Sequence, residues 1–551
     1  MNIVKTYVSD IKNEFSGYNF EKFTKDIMAG ITVAAVALPL ALAFGVGSGA
    51  TAAAGLVTAI IGGIIISIFS GASFQISGPT GAMTAILVTL AAQYGIQGIL
   101  VASFLAGCML VLAGIFKLGK VIALIPSSVI TGFTSGIAIT IALGQLDNFF
   151  GVTSHGDIAI AKVFSYFTDG FHPDIPTMCI GLGVILLMVF WPKKLNEKLP
   201  SSLAAIILIV ILMQFWHPDV AVVGDIPKSL FLSDRLNFGE LSFSELRALI
   251  VPAFSIAALG MIESLLCGSS AGKMKNEEMN ADRELIAQGI GNIVIPFFGG
   301  VPATAAIART SVAIKAGAET RVAGIFHSIV LLASMLILSP IMSQIPLAAL
   351  AGILMVTAWR MNDWNNIRFI FGHKFKSGMA KFLVTMIATV IFDLTKAIII
   401  GVGLATFMIV VGMADLEITV KTIQKSRLEK KGIDIPEVSD KIKIAYLTGT
   451  IFFADVDKLI KKLRIEEERT DILILSMRGV PVIDLSGVQG MIELIETLQA
   501  GNTAVYLTSV QPAVLDKMAR GGIVDMIGSD YVFKSAEQAI VIAQQEFADE
   551  D

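Results

Sequence analysis

Between positions 27 and 415 the apolar residues do not keep to one face of a helical or strand period. They run in long blocks separated by short polar stretches. A bilayer-spanning helix needs roughly 20 predominantly apolar residues, and a shorter one survives when other helices enclose it. Blocks near 27–47, 51–70, 76–92, 97–115, 121–143, 178–192, 199–216, 247–268, 284–299, 304–315, 321–341, 345–358, 378–392 and 395–414 predict about fourteen such spans. From about 437 the period changes. Strand-like runs at Lys443–Leu447, Ile472–Ser476 and Ala504–Leu507 alternate with helical patterns at Asp455–Leu463, Val488–Leu498 and Ala536–Gln545. Strand–helix alternation over this length predicts a small α/β domain. The expected organisation is an N-terminal segment (1–26), an all-α polytopic membrane domain (27–415), a linker (416–436) and a soluble C-terminal domain (437–551).

Composition sharpens this picture. Of 551 residues, 54% are hydrophobic and only 16% charged, with a mean hydropathy of +0.76. Soluble domains carry about 25% charged residues, so an ordinary soluble enzyme is excluded and the lipid bilayer is the first expected partner. The 50 glycines follow no three-residue period, which excludes a collagen-like fibre. A net charge of −4 and a pI near 5.9 give no reason to expect nucleic acid. Cys108, Cys179 and Cys267 lie far apart in or beside apolar runs and read as small hydrophobes. The first thirty residues hold Lys5, Lys12, Lys22 and Lys25 without an apolar core or small-residue cleavage site, so no signal peptide is expected.

Loop charge predicts orientation. With the N-terminus inside, the inner loops hold Lys117, Lys120, Lys193, Lys194, Lys198, Lys315, Arg321, Arg360, Arg368, Lys374 and Lys376. The outer loops 144–177 and 217–246 are net acidic. Positive-inside asymmetry therefore predicts both termini in the cytoplasm, and an inner (plasma) membrane location is expected.

Two segments at membrane depth are interrupted by Gly and Pro: Gln75-Ile76-Ser77-Gly78-Pro79-Thr80-Gly81-Ala82, and the stretch 299–310, Gly-Gly-Val-Pro-Ala-Thr-Ala-Ala-Ile-Ala-Arg-Thr. Each precedes a short apolar helix, the third and the tenth span. A repeat of seven spans must insert in opposite senses, so the halves are expected to be inverted repeats, and matched broken helices point to a midplane binding site. A half-helix starting in mid-membrane presents unpaired N–H groups and the positive end of its dipole. Two facing starts make an anion site with few charged side chains. Gly-Pro that merely kinks an ordinary helix is the plainer reading of either segment alone.

Few ionisable groups lie inside the spans, so the exceptions carry information. Glu263, within Ala258–Leu266, reads as a protonation site or cation ligand coupled to transport, or as a carboxylate pinned structurally by Arg309. Arg309 would add fixed positive potential to the anion site, or snorkel to the cytoplasmic side. Phe44, five residues after Pro39, could offer an anion its electropositive ring edge.

Together, ALPLALAFG (37–45), SGPTGAMT (77–84), ALGMIESLL (258–266) and GNIVIPFFGGVPATAAIARTSV (291–312) resemble the SulP (sulfate permease) anion transporters, relatives of the animal solute-carrier anion exchangers and prestin. The resemblance spans nearly the whole chain. It implies fourteen spans in two inverted repeats, a core domain moving against a gate domain, and a homodimer. By position it implies a substrate site of Phe44, Pro79, Thr80, Ala306, Ile307, Ala308 and Arg309, with Glu263 in ion coupling. Many sulfate-type members hold Gln where Leu40 stands, whereas bicarbonate-type members look more like this chain. Sodium-coupled bicarbonate members hold Asp and Thr where Glu263 and Cys267 stand, and sulfur suits a hard cation poorly. No cofactor is implied; the coupling ion is H+ or Na+, with H+ favoured.

The C-terminal domain resembles a STAS domain, anchored on Val482-Ile483-Asp484-Leu485-Ser486-Gly487. Leu485 occupies the position of the phosphorylated serine of anti-sigma antagonists, and Ser486 reads as a helix N-cap. Folding support, dimer contacts or docking of a cytosolic partner are the implied roles. The expected function is a non-enzymatic secondary active transporter of bicarbonate, sulfate or dicarboxylate by alternating access; no Walker-type phosphate loop appears. A nucleobase carrier of similar fold, and a membrane-bound sensor signalling through the STAS domain, are the alternatives.

Overall fold

The computed structural model describes residues 3–120, 125–155, 159–168, 170–196, 199–237, 243–392, 394–413, 416–423, 428, 439–464 and 470–550. The chain forms two compact units, Met1–Ala405 and Thr406–Asp551.

The described residues of the apolar blocks in the first unit lie mostly on helix. The first span, Phe20–Gly47, starts at Asn19, whose side chain accepts from Lys22 N–H, and contains Pro39. The second, Ala52–Phe69, is capped by Thr51 and carries a π turn at Thr58–Gly62. The first two spans meet backbone to backbone: a Cβ on Gly55 would fall 2.0 Å from the Ala41 carbonyl oxygen, so only glycine allows the approach. The third and fourth spans form one run, Gly81–Ile115, broken at Gly95, whose φ of 64° and ψ of −169° suit glycine alone. The fifth to eighth are Ser127–Gly144, Ile175–Phe190, Ser201–Trp216 and Ile250–Lys275. The ninth, Ala281–Val294, tightens into a 3-10 turn at Ile295–Phe298. The tenth to fourteenth are Ile307–Lys315, Val322–Met342, Leu347–Met361, Lys376–Ile391 and Leu394–Met413.

The third and tenth helices start later than the apolar pattern predicts, at Gly81 and Ile307 in place of 76 and 304. The residues before them are extended: β1 (Ser77–Gly78) pairs antiparallel with β2 (Thr304–Ala305). Hydropathy does not register this, since extended and helical residues at one depth are equally apolar.

The N-terminal helix Ile3–Glu14 is tied to the ends of the spans. Glu14 accepts from Arg321 N, Nε and Nη2, and Arg321 also donates to the carbonyls of Ser67 and Ile68. Arg321, counted with the loop cations from sequence, is thus a buried paired residue.

The second unit is a five-stranded sheet in the order β3-β4-β5-β6-β7, with β3 (Glu417–Thr422) antiparallel to β4 (Ile442–Thr448). β5 (Ile472–Gly479), β6 (Ala504–Thr508) and β7 (Val532–Phe533) continue it in parallel. Helices Val456–Arg464, Leu485–Ala500 and Ala536–Glu550 fall where the pattern places them. Two expectations change. The start of the expected linker is a sheet strand, because Ile418 is buried against the sheet core while its neighbours face outward. The cap of Leu485–Ala500 is Asp484, whose carboxylate accepts from Gly487 N–H at 2.7 Å, so Ser486 lies inside the first turn.

Candidate functional site

The β1–β2 ladder is the frame of the site. Ser77 faces Ala305 and Gly78 faces Thr304, so the broken segments of the two halves run antiparallel, as a pseudo-two-fold between inverted repeats requires. Irregular backbone inside a bilayer must have its polar groups satisfied. Here neighbouring spans do so. Ala306 N–H donates to the Ile76 carbonyl at 2.9 Å, and Thr310 Oγ1 accepts from Ile76 N–H at 3.0 Å. Asn292 acts as a side-chain strand, giving Nδ2–H to the Ala303 carbonyl at 2.9 Å and accepting Ala303 N–H at 2.8 Å. From the eighth span, Ser264 Oγ accepts from Ala305 N–H at 3.3 Å, and Gln75 Nε2 donates to the Ser264 carbonyl at 2.7 Å. Thr58, in the π turn, donates to the Val301 carbonyl at 2.8 Å.

The ladder delivers two helix starts to one place. Thr80 is the N-cap of the third helix, and its carbonyl accepts the first helical bond, from Thr84 N–H. Ala306 plays that part for the tenth helix, accepting from Thr310 N–H at 2.9 Å. By helix geometry the N–H groups of Gly81 and Ala82, and of Ile307, Ala308 and Arg309, precede the first intrahelical bond. Both positive dipole ends therefore come to the same cavity.

Arg309 lies in the first turn of the tenth helix and is 1% exposed. Its Nη2 donates across the halves to the Pro79 carbonyl at 2.8 Å, while Nη1 has no hydrogen-bond partner. Snorkelling is excluded. Phe44 packs against the start of the third helix: a Cβ on Gly81 would lie 3.3 Å from Phe44 Cε1 and 2.9 Å from Ile141 Cδ1.

Glu263 reaches the same point from the eighth span. Its Oε2 accepts from Thr80 Oγ1 at 2.8 Å and from Thr304 Oγ1 at 2.6 Å, and those hydroxyls are 3.1 Å apart. The carboxylate is thus held by one threonine from each broken segment, and Arg309 is engaged with Pro79. Cys267 is turned away, its Sγ donating to Thr310 Oγ1 at 3.4 Å.

A cavity of about 370 Å³ opens in front of this assembly. Seven of the eight residues picked out from sequence line it: Phe44, Thr80, Glu263, Ala306, Ile307, Ala308 and Arg309. Pro79 stands behind the wall with its carbonyl taken by Arg309. The opposite wall, from the fifth and twelfth spans, is largely apolar, with Phe133, Ile137, Ile141, Leu354 and Ala358, and has Thr134, Thr357 and Arg360 as its polar members. Sequence reasoning missed Thr304, Asn292 and Ser264, although each sits in or beside a quoted motif. It also missed the gate wall, whose residues look like any span interior.

A polytopic helical protein with two broken helices meeting at an internal cavity has the architecture of a membrane carrier. The sulfate permease family matches residues 23–388, and the STAS domain family matches 435–539. The chain is 34% identical over 534 residues to YvdB of Bacillus subtilis (strain 168), covering 94% of this chain and 97% of that one. It is 29% identical over 548 residues to the bicarbonate transporter BicA of Picosynechococcus sp. (strain ATCC 27264 / PCC 7002 / PR-6), covering 95% of each. The solved structure of SLC26A9 superposes with a TM-score of 0.84 at 17% identity, over 97% of this chain and 92% of that one. The chain belongs to the sulfate permease family and carries a C-terminal STAS domain.

Proposed function

We propose that the protein is a secondary active carrier of a small oxyanion, of the bicarbonate, sulfate or dicarboxylate class, working by alternating access with proton coupling at Glu263. The observation that carries this is the meeting of two helix starts, one buried arginine and one carboxylate on a single cavity wall. Each helix end supplies roughly half a positive charge, so the two ends match a monoanion while Arg309 offsets an ionised Glu263. A dianion leaves one negative charge over. A proton on Glu263 removes it, which gives the carboxylate a coupling role. The family's name supports sulfate and BicA supports bicarbonate as members of the substrate class.

The donor wall, on the first, third, eighth and tenth spans, is the moving core, and the apolar wall is the gate it slides against. The carrier sits in the plasma membrane with both termini in the cytoplasm, acts as a homodimer, and its STAS domain docks a cytosolic partner. A nucleobase is disfavoured because the side chains beside the helix starts are engaged within the protein, Thr80 and Thr304 with Glu263 and Arg309 Nη2 with the Pro79 carbonyl, in place of being presented to a base edge. The test is uptake of [35S]sulfate, [14C]bicarbonate and [14C]succinate into proteoliposomes, with and without sodium and with an imposed pH gradient. Saturable uptake of at least one anion, driven by protons and indifferent to sodium, is expected. Flux of none of them would defeat the transport reading, and strict sodium dependence would defeat the coupling assignment.

A further inference from the structure

A second chamber adjoins the substrate cavity. It has a volume of about 710 Å³ and shares Leu40, Ala308, Thr357, Arg360 and Met361 with the first. Helix periodicity joins the two. On the tenth helix, Ala308, Val312 and Lys315 follow an i, i+4, i+7 row, so one face runs from the anion wall into the second chamber over about 10 Å. The first span does the same with Thr32, Val36, Leu40 and Phe44, each four residues from the next.

The second chamber differs from the first in lacking a carboxylate among its described residues. The first holds Glu263 with Arg309 and Arg360, whereas the second sets Lys315, from the core, beside the Arg360 that lines both, and both of these cations are exposed. Ser201, Ser202, Thr32 and Asn196 add uncharged polar groups, and none of its described lining residues is acidic. By contrast, the chamber against the N-terminal helix mixes both signs, with Asp10, Glu14, Glu277, Glu278 and Glu319 beside Lys22, Arg283 and Arg321. Arg360 is held in place: Nη2 donates to the Met188 carbonyl at 2.6 Å and Nη1 to Ser201 Oγ at 3.3 Å. Its guanidinium therefore stands at the junction of the chambers while its position is set by the sixth and seventh spans.

We propose that this chamber is an adjoining, low-affinity anion-collecting site in which Lys315 and Arg360 hold a small oxyanion before it passes to the helix starts. The inference rests on the transport reading and adds a second binding step. Positive charge on low-dielectric walls concentrates anions without desolvating them, so it acts on capture and is screened by salt. The two cations belong to opposite walls. Movement of the core against the gate thus separates them and dismantles the site as the anion is carried off.

The test is exchange of [35S]sulfate and [14C]bicarbonate by the full-length protein in liposomes, for wild type, Lys315→Gln, Arg360→Gln and Arg360→Lys. At low ionic strength each Gln variant is expected to raise KM about tenfold, the lower end for focusing by a charged cleft, with kcat within about twofold. In roughly 0.5 M potassium gluconate, where the screening length is shorter than the chamber, the difference from wild type should vanish. Arg360→Lys keeps the charge and loses the fork to Met188 and Ser201, and should retain a KM near wild type. An unchanged KM in the Gln variants overturns the proposal. So does an increase that survives high salt, or an Arg360→Lys variant as impaired as Arg360→Gln, since Arg360 would then be only a staple between spans. Absence of wild-type exchange of both anions would defeat the transport reading itself, and this inference with it.

Discussion

Replacing Glu263 by Gln separates binding from coupling. The amide oxygen of Gln can still accept from Thr80 and Thr304, which lie 2.8 and 2.6 Å from the carboxylate oxygen, so the wall should keep its shape. What disappears is the single proton that this carboxylate can take up. One proton per anion means that a gradient of one pH unit, worth about 1.4 kcal/mol, can drive an accumulation of about tenfold. For wild type in vesicles held at zero membrane potential, [35S]sulfate is expected to overshoot its equilibrium level by up to that factor when the outside is acidified. The variant should still exchange sulfate across the membrane and should show no overshoot. Counterflow without concentrative uptake is the signature of a carrier that has lost its coupling ion and kept its site. An overshoot of wild-type size in Glu263→Gln would refute the assignment, as would loss of exchange and overshoot together in a variant that remains folded.

Other consequences follow from the same contacts. Asn292→Leu strands the N–H and carbonyl of Ala303, each costing about 1–3 kcal/mol when buried without a partner, so a clear fall in detergent melting temperature is expected; an unchanged melt would remove Asn292 as the clasp. Gly78→Ala sets a methyl 2.7 Å from Arg309 Nη1, which should push the guanidinium off the Pro79 carbonyl and raise KM about tenfold, the equivalent of about 1.4 kcal/mol, as measured by initial uptake rates. Glu14→Gln weakens a pair whose side chains are 5% and 10% exposed, and buried pairs cost about 3–5 kcal/mol to break; thermal unfolding should show destabilisation toward the low end of that range. Tyr18 lies outside the spans and donates to Asp26; burial first, and that carboxylate second, raise its pKa from 10.0 to about 12. The folded state thus keeps a proton that the unfolded state loses. The stabilisation is complete below pH 10 and fades as pH rises toward 12, so Tyr18→Phe should flatten that alkaline limb of stability measured by thermal melts.

What the sequence disclosed, and what it withheld, divides along a physical line. Broken helices and the Glu263 carboxylate are marked by residue types that cost free energy in lipid, so they stand out against an apolar background: Pro79 and Pro302 interrupt helix, and Glu263 and Arg309 carry charge. The partners that make those residues tolerable are ordinary. Thr80 and Thr304 hold Glu263, and Asn292 replaces a missing strand, yet nothing in a string of threonines and asparagines says which backbone each will meet. The β1–β2 pairing joins positions more than two hundred residues apart and follows from the inverted repeat only once the two segments are known to face each other. β3 was passed over for the same reason: Glu417–Thr422 is an edge strand whose alternation is short and whose partner lies beyond the linker. The gate wall is the extreme case. Phe133, Ile137, Ile141 and Leu354 carry no mark at all, yet with the donor wall they set the width of the cavity. Helix starts attract anions by charge alone, so the proposed mechanism leaves discrimination among monovalent and divalent oxyanions to that width and to protonation of Glu263. On that proposal substrate choice lies in side-chain volume on the gate, and substitutions such as Ile141→Ala or Leu354→Ala should alter selectivity between sulfate and bicarbonate without touching a single hydrogen bond to the site.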